Sequence, residues 1–371
     1  MRVTQLTLTD FRCYENASVE LPPGVTVIVG ANGQGKTSLL EAVGWVATTR
    51  SFRAVPDAAL VRTGCEHAVL RAEVTDDGRT QLLEAELHAQ GRNRVQLNRH
   101  PLARARELLG LLRVTVFAPD DLQLVKGGPA ERRAYLDELL VSITPRYEAA
   151  RTDFERVLRQ RNALLRGGLA GEDARSTLAV FDEQLVRAGG ELVRGRLRLV
   201  DRLTGPLGDA YEALAGEPAA VGAAYEAEWA EGVVPSDAGA VEELLRAALV
   251  ARQRQELDRG VTLVGPHRDE WRLRVEGLDA RTHSSQGEQR TLALALRLAG
   301  HRVCAEVVGD DPVLLLDDVF SELDPLRGRA LVEHLPAGQT LFTSASALPD
   351  GIRPELRLRV AHGRLGKDDG E

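Results

Sequence analysis

The chain is 371 residues long, 43% hydrophobic and 27% charged, which suits a globular protein of two or three domains with a full core. A formal net charge of −8 excludes a protein coated in positive charge, so any nucleic-acid contact must be a local patch. Cys13, Cys65 and Cys304 are too scattered for a zinc spacing or a disulfide framework, and no apolar run nears the ~20 residues of a membrane helix, so a soluble, cytoplasmic protein is expected.

Residues 1–6 alternate like a strand rather than forming a signal peptide. Strands are predicted over 3–9 and 17–21, around Asp10-Phe11-Arg12-Cys13-Tyr14. Val25-Thr26-Val27-Ile28-Val29 marks a short buried strand, and the next eight residues, Gly30-Ala31-Asn32-Gly33-Gln34-Gly35-Lys36-Thr37, fit the phosphate-binding loop pattern without a gap. Glycines at 30, 33 and 35 let successive backbone N–H groups turn inward as a nest for an oxyanion. A helix starting near Lys36 adds its positive end. Lys36 is placed to bridge β- and γ-phosphates, and the Thr37 hydroxyl to hold Mg²⁺. Lysine is otherwise found only at Lys126 and Lys367, so a compact ammonium has been kept where a planar fork would not fit.

Strands predicted over 69–74, 82–87 and 94–97 are divided by Asp76-Asp77-Gly78 and Gln90-Gly91, which describes an antiparallel sheet attached to the nucleotide core. Arg92, Arg94, Arg99, His100, Arg104 and Arg106 crowd its last hairpin and the helix expected to follow. A solvated charged face and a phosphate-tracking DNA patch explain them equally well.

From about residue 113 the texture becomes helical. Gly127-Gly128-Pro129 ends a loop, and helices are predicted over 130–143, 146–166, 177–203 and 240–257, with a short strand near 219–229. Gly167-Gly168 and Gly189-Gly190 are read as interruptions, and no heptad persists long enough for a coiled coil. Residues 113–259 therefore read as a mainly helical insertion between two parts of one domain, 1–112 and 260–371.

The return begins with a predicted strand over 260–264, then Gly265-Pro266-His267-Arg268-Asp269 and a second strand over 271–275. Ser284-Ser285-Gln286-Gly287-Glu288-Gln289 opens a helix, in which Ser285 and Glu288 match a capping box that alone accounts for both residues. Val313-Leu314-Leu315-Leu316 is a buried strand ending in Asp317-Asp318, the pattern that sets a carboxylate beside Mg²⁺. Ser321-Glu322-Leu323-Asp324-Pro325 follows at once.

This order of phosphate loop, long insertion, Ser-x-Gly-Glu signature, acid-ended strand and Ser-Glu-Leu-Asp loop resembles the ABC-type ATPase heads of the SMC family. Residues 10–14, Gly127-Gly128-Pro129-Ala130-Glu131-Arg132-Arg133 and Leu263-Val264-Gly265-Pro266-His267-Arg268-Asp269 make it similar, more specifically, to the RecF family of bacterial DNA-repair ATPases. The resemblance covers nearly the whole chain. It implies an α/β fold: an ABC-type head with a mixed sheet carrying the phosphate loop, an attached antiparallel sheet and an inserted mainly helical lobe.

The resemblance further implies ATP and Mg²⁺ as cofactors. ATP would be lined by Gly30, Asn32, Gly33, Gly35, Lys36, Thr37 and Ser38. Arg12 joins that set by analogy alone, with a surface ion pair as the alternative. Thr37 and Asp317 would hold the metal, while Lys36 and Asp318 act in catalysis. Ser285, Gly287 and Glu288 would reach the nucleotide of a partner protomer in an ATP-dependent homodimer, beside a loop containing Ser321 and Asp324. The expected partners are double-stranded and gapped DNA, a RecR-type mediator and the RecA pathway, with no membrane, and the expected location is the nucleoid. Asp318 is one methylene shorter than the usual glutamate, so slow turnover is expected. Gln123 is poorly placed for the Mg²⁺-sensing glutamine, and the strand over 341–344 lacks a histidine, leaving Thr343 or Ser344 as a weak γ-phosphate sensor. The alternative is an ABC-type ATPase subunit of another machine, a transporter or a short SMC-like complex.

Overall fold

Period-two burial along the first strands produces a sheet with one apolar face. The computed structural model describes residues 1–167, 172–230, 232–345 and 351–368. β1 (Arg2–Phe11) pairs antiparallel with β2 (Tyr14–Glu20) and, after β3 (Val25–Val29) and α1 (Lys36–Thr48), with β4 (His67–Asp76). β5 (Arg79–His88), β6 (Arg94–Leu97) and β7 (His100–Leu102) extend the order to β2-β1-β4-β5-β6-β7. The register shifts between Val3 and Gln5, which is why Val3 and Leu6, three apart, are both buried.

A second six-stranded sheet is built from β3, β8 (Val114–Phe117) and four strands near the end of the chain: β12 (Val313–Asp317), β13 (Thr340–Ser344), β14 (Leu356–Ala361) and β15 (Arg364–Lys367). Its order is β15-β14-β3-β13-β12-β8, parallel except for β15. Every residue of β12 and β13 is buried, as continuous apolar strands covered on both faces should be. Leu39, Leu40, Val43, Trp45 and Val46 of α1 join the buried faces of both sheets in one core. Asp317 stands opposite Thr343, and Thr343 opposite Ile28, so the phosphate loop and the acidic pair leave the sheet at one carboxyl edge. That edge is where open α/β sheets bind ligands.

The remaining elements are α2 (Gln123–Lys126), α3 (Pro129–Ile143), α4 (Tyr147–Gly167), α5 (Glu172–Ala215), α6 (Ala238–Arg259), α7 (Ala280–His283), α8 (Gln286–Val308) and α9 (Pro325–Glu333). β9 (Val221–Glu226), β10 (Glu270–Val275) and β11 (Leu278–Asp279) form a three-stranded antiparallel sheet. Contacts divide the chain into two units, Met1–Asp121 with Ala210–Pro218 and Leu294–Glu371, and Leu122–Asp209 with Ala219–Ala293. This clustering and the division read from the sequence differ at residues 113–121, 210–218 and 260–293.

Two sequence expectations are corrected. Residues 260–264 do not form a strand. The backbone N–H of Thr262 donates to Asn162 Oδ1 at 2.7 Å and that of Leu263 to Glu256 Oε1 at 2.7 Å, so side chains take the donors that a ladder would have used. Gly189-Gly190 does not interrupt a helix: α5 runs through both glycines and through Pro206 for 44 residues. A Cβ at Gly189 would lie 3.2 Å from Pro266 and 3.3 Å from Phe154, and one at Gly190 would lie 3.0 Å from Glu242. These glycines admit close neighbours, which periodicity cannot distinguish from a break.

Candidate functional site

The phosphate loop owes its course to local chemistry and to what presses against it. Gly33 has φ +80 with open space where a side chain would be, so its glycine answers to conformation. At Gly30 a Cβ would collide with the Val360 carbonyl oxygen. At Gly35 (φ +118) it would come 2.5 Å from Cys13 Sγ and 3.0 Å from the Tyr14 hydroxyl. The loop is thus held between β14 and the turn joining β1 to β2.

Lys36 is buried at the first position of α1, and its ammonium donates to the carbonyls of Gly30 at 2.7 Å and Ala31 at 3.2 Å and to Asn32 Oδ1 at 3.4 Å. A positive charge therefore stands inside the ring of backbone that the sequence predicts to cradle phosphate. Ser38 is buried one residue beyond Thr37, on the same first turn.

Thr37 and Asp317 are 280 positions apart in sequence and meet directly, with Thr37 Oγ1 donating to Asp317 Oδ1 at 2.8 Å. Thr343 Oγ1 donates to the same oxygen at 2.9 Å and accepts the Asp318 backbone N–H at 2.9 Å. Burial pushes the Asp317 carboxyl above its ordinary value and the neighbouring Asp318 adds to the rise, while Thr37, Thr343 and the positive charge of Arg53 oppose it. A carboxylate with two hydroxyls is a hard oxygen set, which fits Mg²⁺ better than a softer metal. Thr343 was a candidate γ-phosphate sensor, yet its hydroxyl already bridges Asp317 and the Asp318 backbone.

Asp318 is half-buried and left-handed, φ 48, so the chain turns sharply out of β12. Ser321 Oγ donates to the Asp318 carbonyl at 2.7 Å, which stabilises that turn. Asp324 caps α9, accepting the N–H groups of Leu326 and Arg327 at 3.0 Å each, and pairs with the Arg327 side chain. These bonds hold its carboxyl below the usual range.

In the other unit, the predicted capping box is present. The Ser285 N–H donates to Glu288 Oε2 at 2.6 Å, and the Glu288 N–H donates to Ser285 Oγ at 3.3 Å. Ser285 is exposed and Gly287 half-buried at the start of a helix of 23 residues, a positive end open to an anion. Sequence reasoning missed what fixes this helix end: buried Gln289 donates to the carbonyls of Ala280 and Arg281, both at 3.1 Å.

Arg12 donates to Glu41 through Nε at 2.8 Å and Nη2 at 2.7 Å, and to the Ala59 carbonyl through Nη1 at 2.9 Å. Its ion pair is therefore with a fully buried acid on α1. The signal for Glu41 was available as one carboxylate within the apolar run Leu39-Leu40-Glu41-Ala42-Val43.

The arginines proposed for DNA are all exposed and gather on and around the last two strands of the antiparallel sheet. Arg92 precedes β6 and Arg94 begins it, with Glu86 at 3.8 Å from Arg94. Arg99 occupies the β6–β7 turn, where Asn98 and Arg99 are consecutive left-handed residues. Arg104 and Arg106 lie at the short helical turn that follows.

Gly265-Pro266-His267-Arg268-Asp269 is a polar turn in which Gly265, Pro266 and Asp269 are buried, His267 is half-buried and Arg268 is exposed. Arg196, itself paired with Asp137, donates to the Pro266 carbonyl at 2.7 Å. Asp269 is fully buried and accepts from Trp229 Nε1 at 2.6 Å and from the Tyr225 hydroxyl, while Arg133 holds its carbonyl at 2.7 Å. Burial raises the Asp269 carboxyl to about 6 and lowers the His267 imidazole to about 4.

The comparisons agree with this architecture. Residues 2–342 match the RecF/RecN/SMC N terminal domain. DNA replication and repair protein RecF of Frankia alni is 49% identical, covering 93% of each chain, and that of Streptomyces avermitilis is 45% identical, covering 98% of this chain and 99% of its own. A structure of the recombination mediator protein RecF with ATP in the RecFOR pathway superimposes with TM-score 0.89 at 29% identity, over 99% of both chains. An SMC head from Pyrococcus furiosus shares the fold, with TM-score 0.56 at 15% identity over 98% of this chain and 94% of its own. The chain therefore belongs to the RecF family, among the proteins built on the RecF/RecN/SMC N-terminal domain.

Proposed function

We propose that this chain is an ATP-dependent DNA-binding protein of recombinational repair, in which ATP closes a head-to-head homodimer on DNA and slow hydrolysis releases it. The observation that carries the reading is the meeting of Thr37 with Asp317 at the mouth of the phosphate loop. It unites a phosphate cradle and an acid-ended strand in the arrangement that phosphoryl-transfer enzymes need. Relatives named as DNA replication and repair protein RecF support the repair reading, within which the proposed substrate is gapped DNA, with a RecR-type mediator and RecA loading downstream.

Gly30, Asn32, Gly33, Gly35, Lys36, Thr37 and Ser38 bind the triphosphate, and Thr37 and Asp317 hold Mg²⁺, which supplies charge neutralisation on the phosphates when bound. Asp318 polarises the attacking water. Ser285, Gly287 and the start of α8 from one protomer face the γ-phosphate on the other, beside the loop carrying Ser321 and Asp324. One such contact is worth on the order of 4 kcal/mol for unit charges ~4 Å apart near a surface. Two per dimer are enough to switch association. Arg92, Arg94, Arg99, Arg104 and Arg106 track the DNA backbone, giving binding that weakens steeply with salt. The protein works in the cytoplasm, at the nucleoid.

Analytical ultracentrifugation with ATP, with ADP and without nucleotide tests the dimer, and gel shifts on duplex and gapped DNA across a salt series test its use. ATP-specific dimerisation that disappears in Ser285→Arg supports the reading. The same oligomeric state under all three conditions overturns it.

A further inference from the structure

The phosphate loop is braced from outside by one short corner of chain, and the brace has a buried acid at its centre. Glu41 lies four residues after Thr37, about one helical turn below the loop, and is fully buried. A carboxylate in that position needs an opposite charge and hydrogen bonds on both oxygens. Glu41 Oε2 accepts from Arg12 Nε at 2.8 Å, while Oε1 accepts from Arg12 Nη2 at 2.7 Å and from Ser51 Oγ at 2.5 Å. The two donor residues come from separate turns, Arg12 from the β1–β2 turn and Ser51 from the turn after α1. Ser51 Oγ also accepts the Arg53 backbone N–H at 3.1 Å, so the second turn is ordered by the same hydroxyl.

The residues beside Arg12 act on the loop itself. The Tyr14 hydroxyl donates to the Gly35 carbonyl at 2.9 Å, and the Cys13 thiol approaches the Gln34 carbonyl at 3.7 Å. Burial holds the Tyr14 hydroxyl protonated well above its ordinary range, so it remains a donor at any working pH. Asp10 and Arg12 are left-handed at φ 49 and 54, a conformation that non-glycine residues keep only when their surroundings impose it. Here the imposition is visible: the Arg12 N–H donates to the Leu60 carbonyl and the Arg62 N–H to the Asp10 carbonyl, each at 2.7 Å.

We propose that Glu41 is a positioning residue for nucleotide binding, tying Arg12 and the Ser51–Arg53 turn to the first turns of α1 so that the corner 12–14 holds the phosphate loop in its binding shape before nucleotide arrives. This rests on the ATPase reading above. Arg12 then serves the site through Glu41. A nest shaped in advance favours bound phosphate in ground and transition states alike, so the brace belongs to affinity more than to the chemical step.

The test uses the full chain and a fluorescent ATP analogue, with Kd, KM, kcat and Tm measured for wild type, Glu41→Gln, Tyr14→Phe, Ser51→Ala and Lys36→Met. Glu41→Gln should weaken nucleotide binding about tenfold, raising KM while kcat falls far less, as outer partners of a binding group typically do. Glu41→Asp, which keeps the charge, should recover part of the loss. Tyr14→Phe and Ser51→Ala, which remove one hydroxyl each, should weaken binding in the same sense, and they decide the matter if Glu41→Gln does not fold. Lowered Tm with unchanged Kd across these variants, or a loss confined to kcat, overturns the proposal. Failure of wild type to bind the analogue more tightly than Lys36→Met would instead defeat the ATPase reading.

Discussion

Asp269 gives the second unit a pH dependence whose sign and size follow from its surroundings. Burial raises this carboxyl from its ordinary 3.8 to about 6, against the opposing effects of the Tyr225 hydrogen bond, the Arg196 charge, the Trp229 hydrogen bond and the Arg133 charge. The folded state therefore holds the proton more tightly than the unfolded chain. Its stabilising contribution is fully present below pH 3.8 and is lost as pH rises through about 6. The change is worth about 3 kcal/mol. Asp269→Asn removes the titration but turns an amide N–H towards one of two donors, Tyr225 or Trp229, at a cost of about 1–3 kcal/mol. At neutral pH the two effects largely cancel, so the slope with pH is the diagnostic. Urea unfolding followed by tryptophan fluorescence reads it, because Trp229 and Trp271 both lie in this unit. Between pH 4.5 and 7.5, wild type should lose about 2 kcal/mol relative to Asp269→Asn. Parallel curves for the two proteins would refute the reasoning.

Asp318→Asn should lower kcat for ATP hydrolysis by about 10²–10⁴-fold while nucleotide still binds, measured by phosphate release and by titration. Glu256→Ala removes one of the two carboxylates paired with the fully buried Arg161 among the described residues, together with the acceptor of the Leu263 N–H, and should destabilise the second unit by about 3 kcal/mol in urea. Gly189→Ala should be close to neutral, since the gain of about 1 kcal/mol in helix propensity meets contacts of 3.2 and 3.3 Å. Gly189→Leu should cost about 1–3 kcal/mol by overpacking against Phe154 and Pro266, read as a lower Tm.

What was legible in the sequence was what the backbone does locally. The phosphate loop, the capping box at Ser285 and the acid-ended strand are each defined within a few residues, so spacing alone located them. The same holds for β1, β4 and β5, whose alternation survives into the fold. What escaped depends on partners distant in sequence. The bonds that tie the Thr343 hydroxyl to Asp317 and to the Asp318 N–H are one case, since nothing within residues 341–344 announces them. Residues 260–264 looked like a strand because their apolar pattern carries no trace of Asn162 and Glu256 capturing the backbone donors. Glu41 left a mark, a charge in an apolar stripe, but its meaning required Arg12 and Ser51.

The use of arginine and lysine in this chain follows one physical division. Where a carboxylate is pinned by a charge through two bonds, the partner is an arginine fork: Arg12 on buried Glu41 at 2.8 and 2.7 Å, buried Arg132 on half-buried Glu270 at 2.9 and 3.0 Å, buried Arg196 on half-buried Asp137 at 2.8 Å twice. A guanidinium makes two parallel bonds with little further loss of freedom and stays charged at any pH, so it suits contacts that never change. The phosphate loop asks for the reverse. Its cation must satisfy the loop's own oxygens at 2.7 to 3.4 Å when no phosphate is present, then turn the same protons to a ligand. A compact ammonium can do this by rotating about its own bond, whereas a planar fork would have to swing as a rigid plate through a ring closed by Val360 and Tyr14. That asymmetry is sufficient reason for lysine at position 36 in a chain that otherwise relies on arginine.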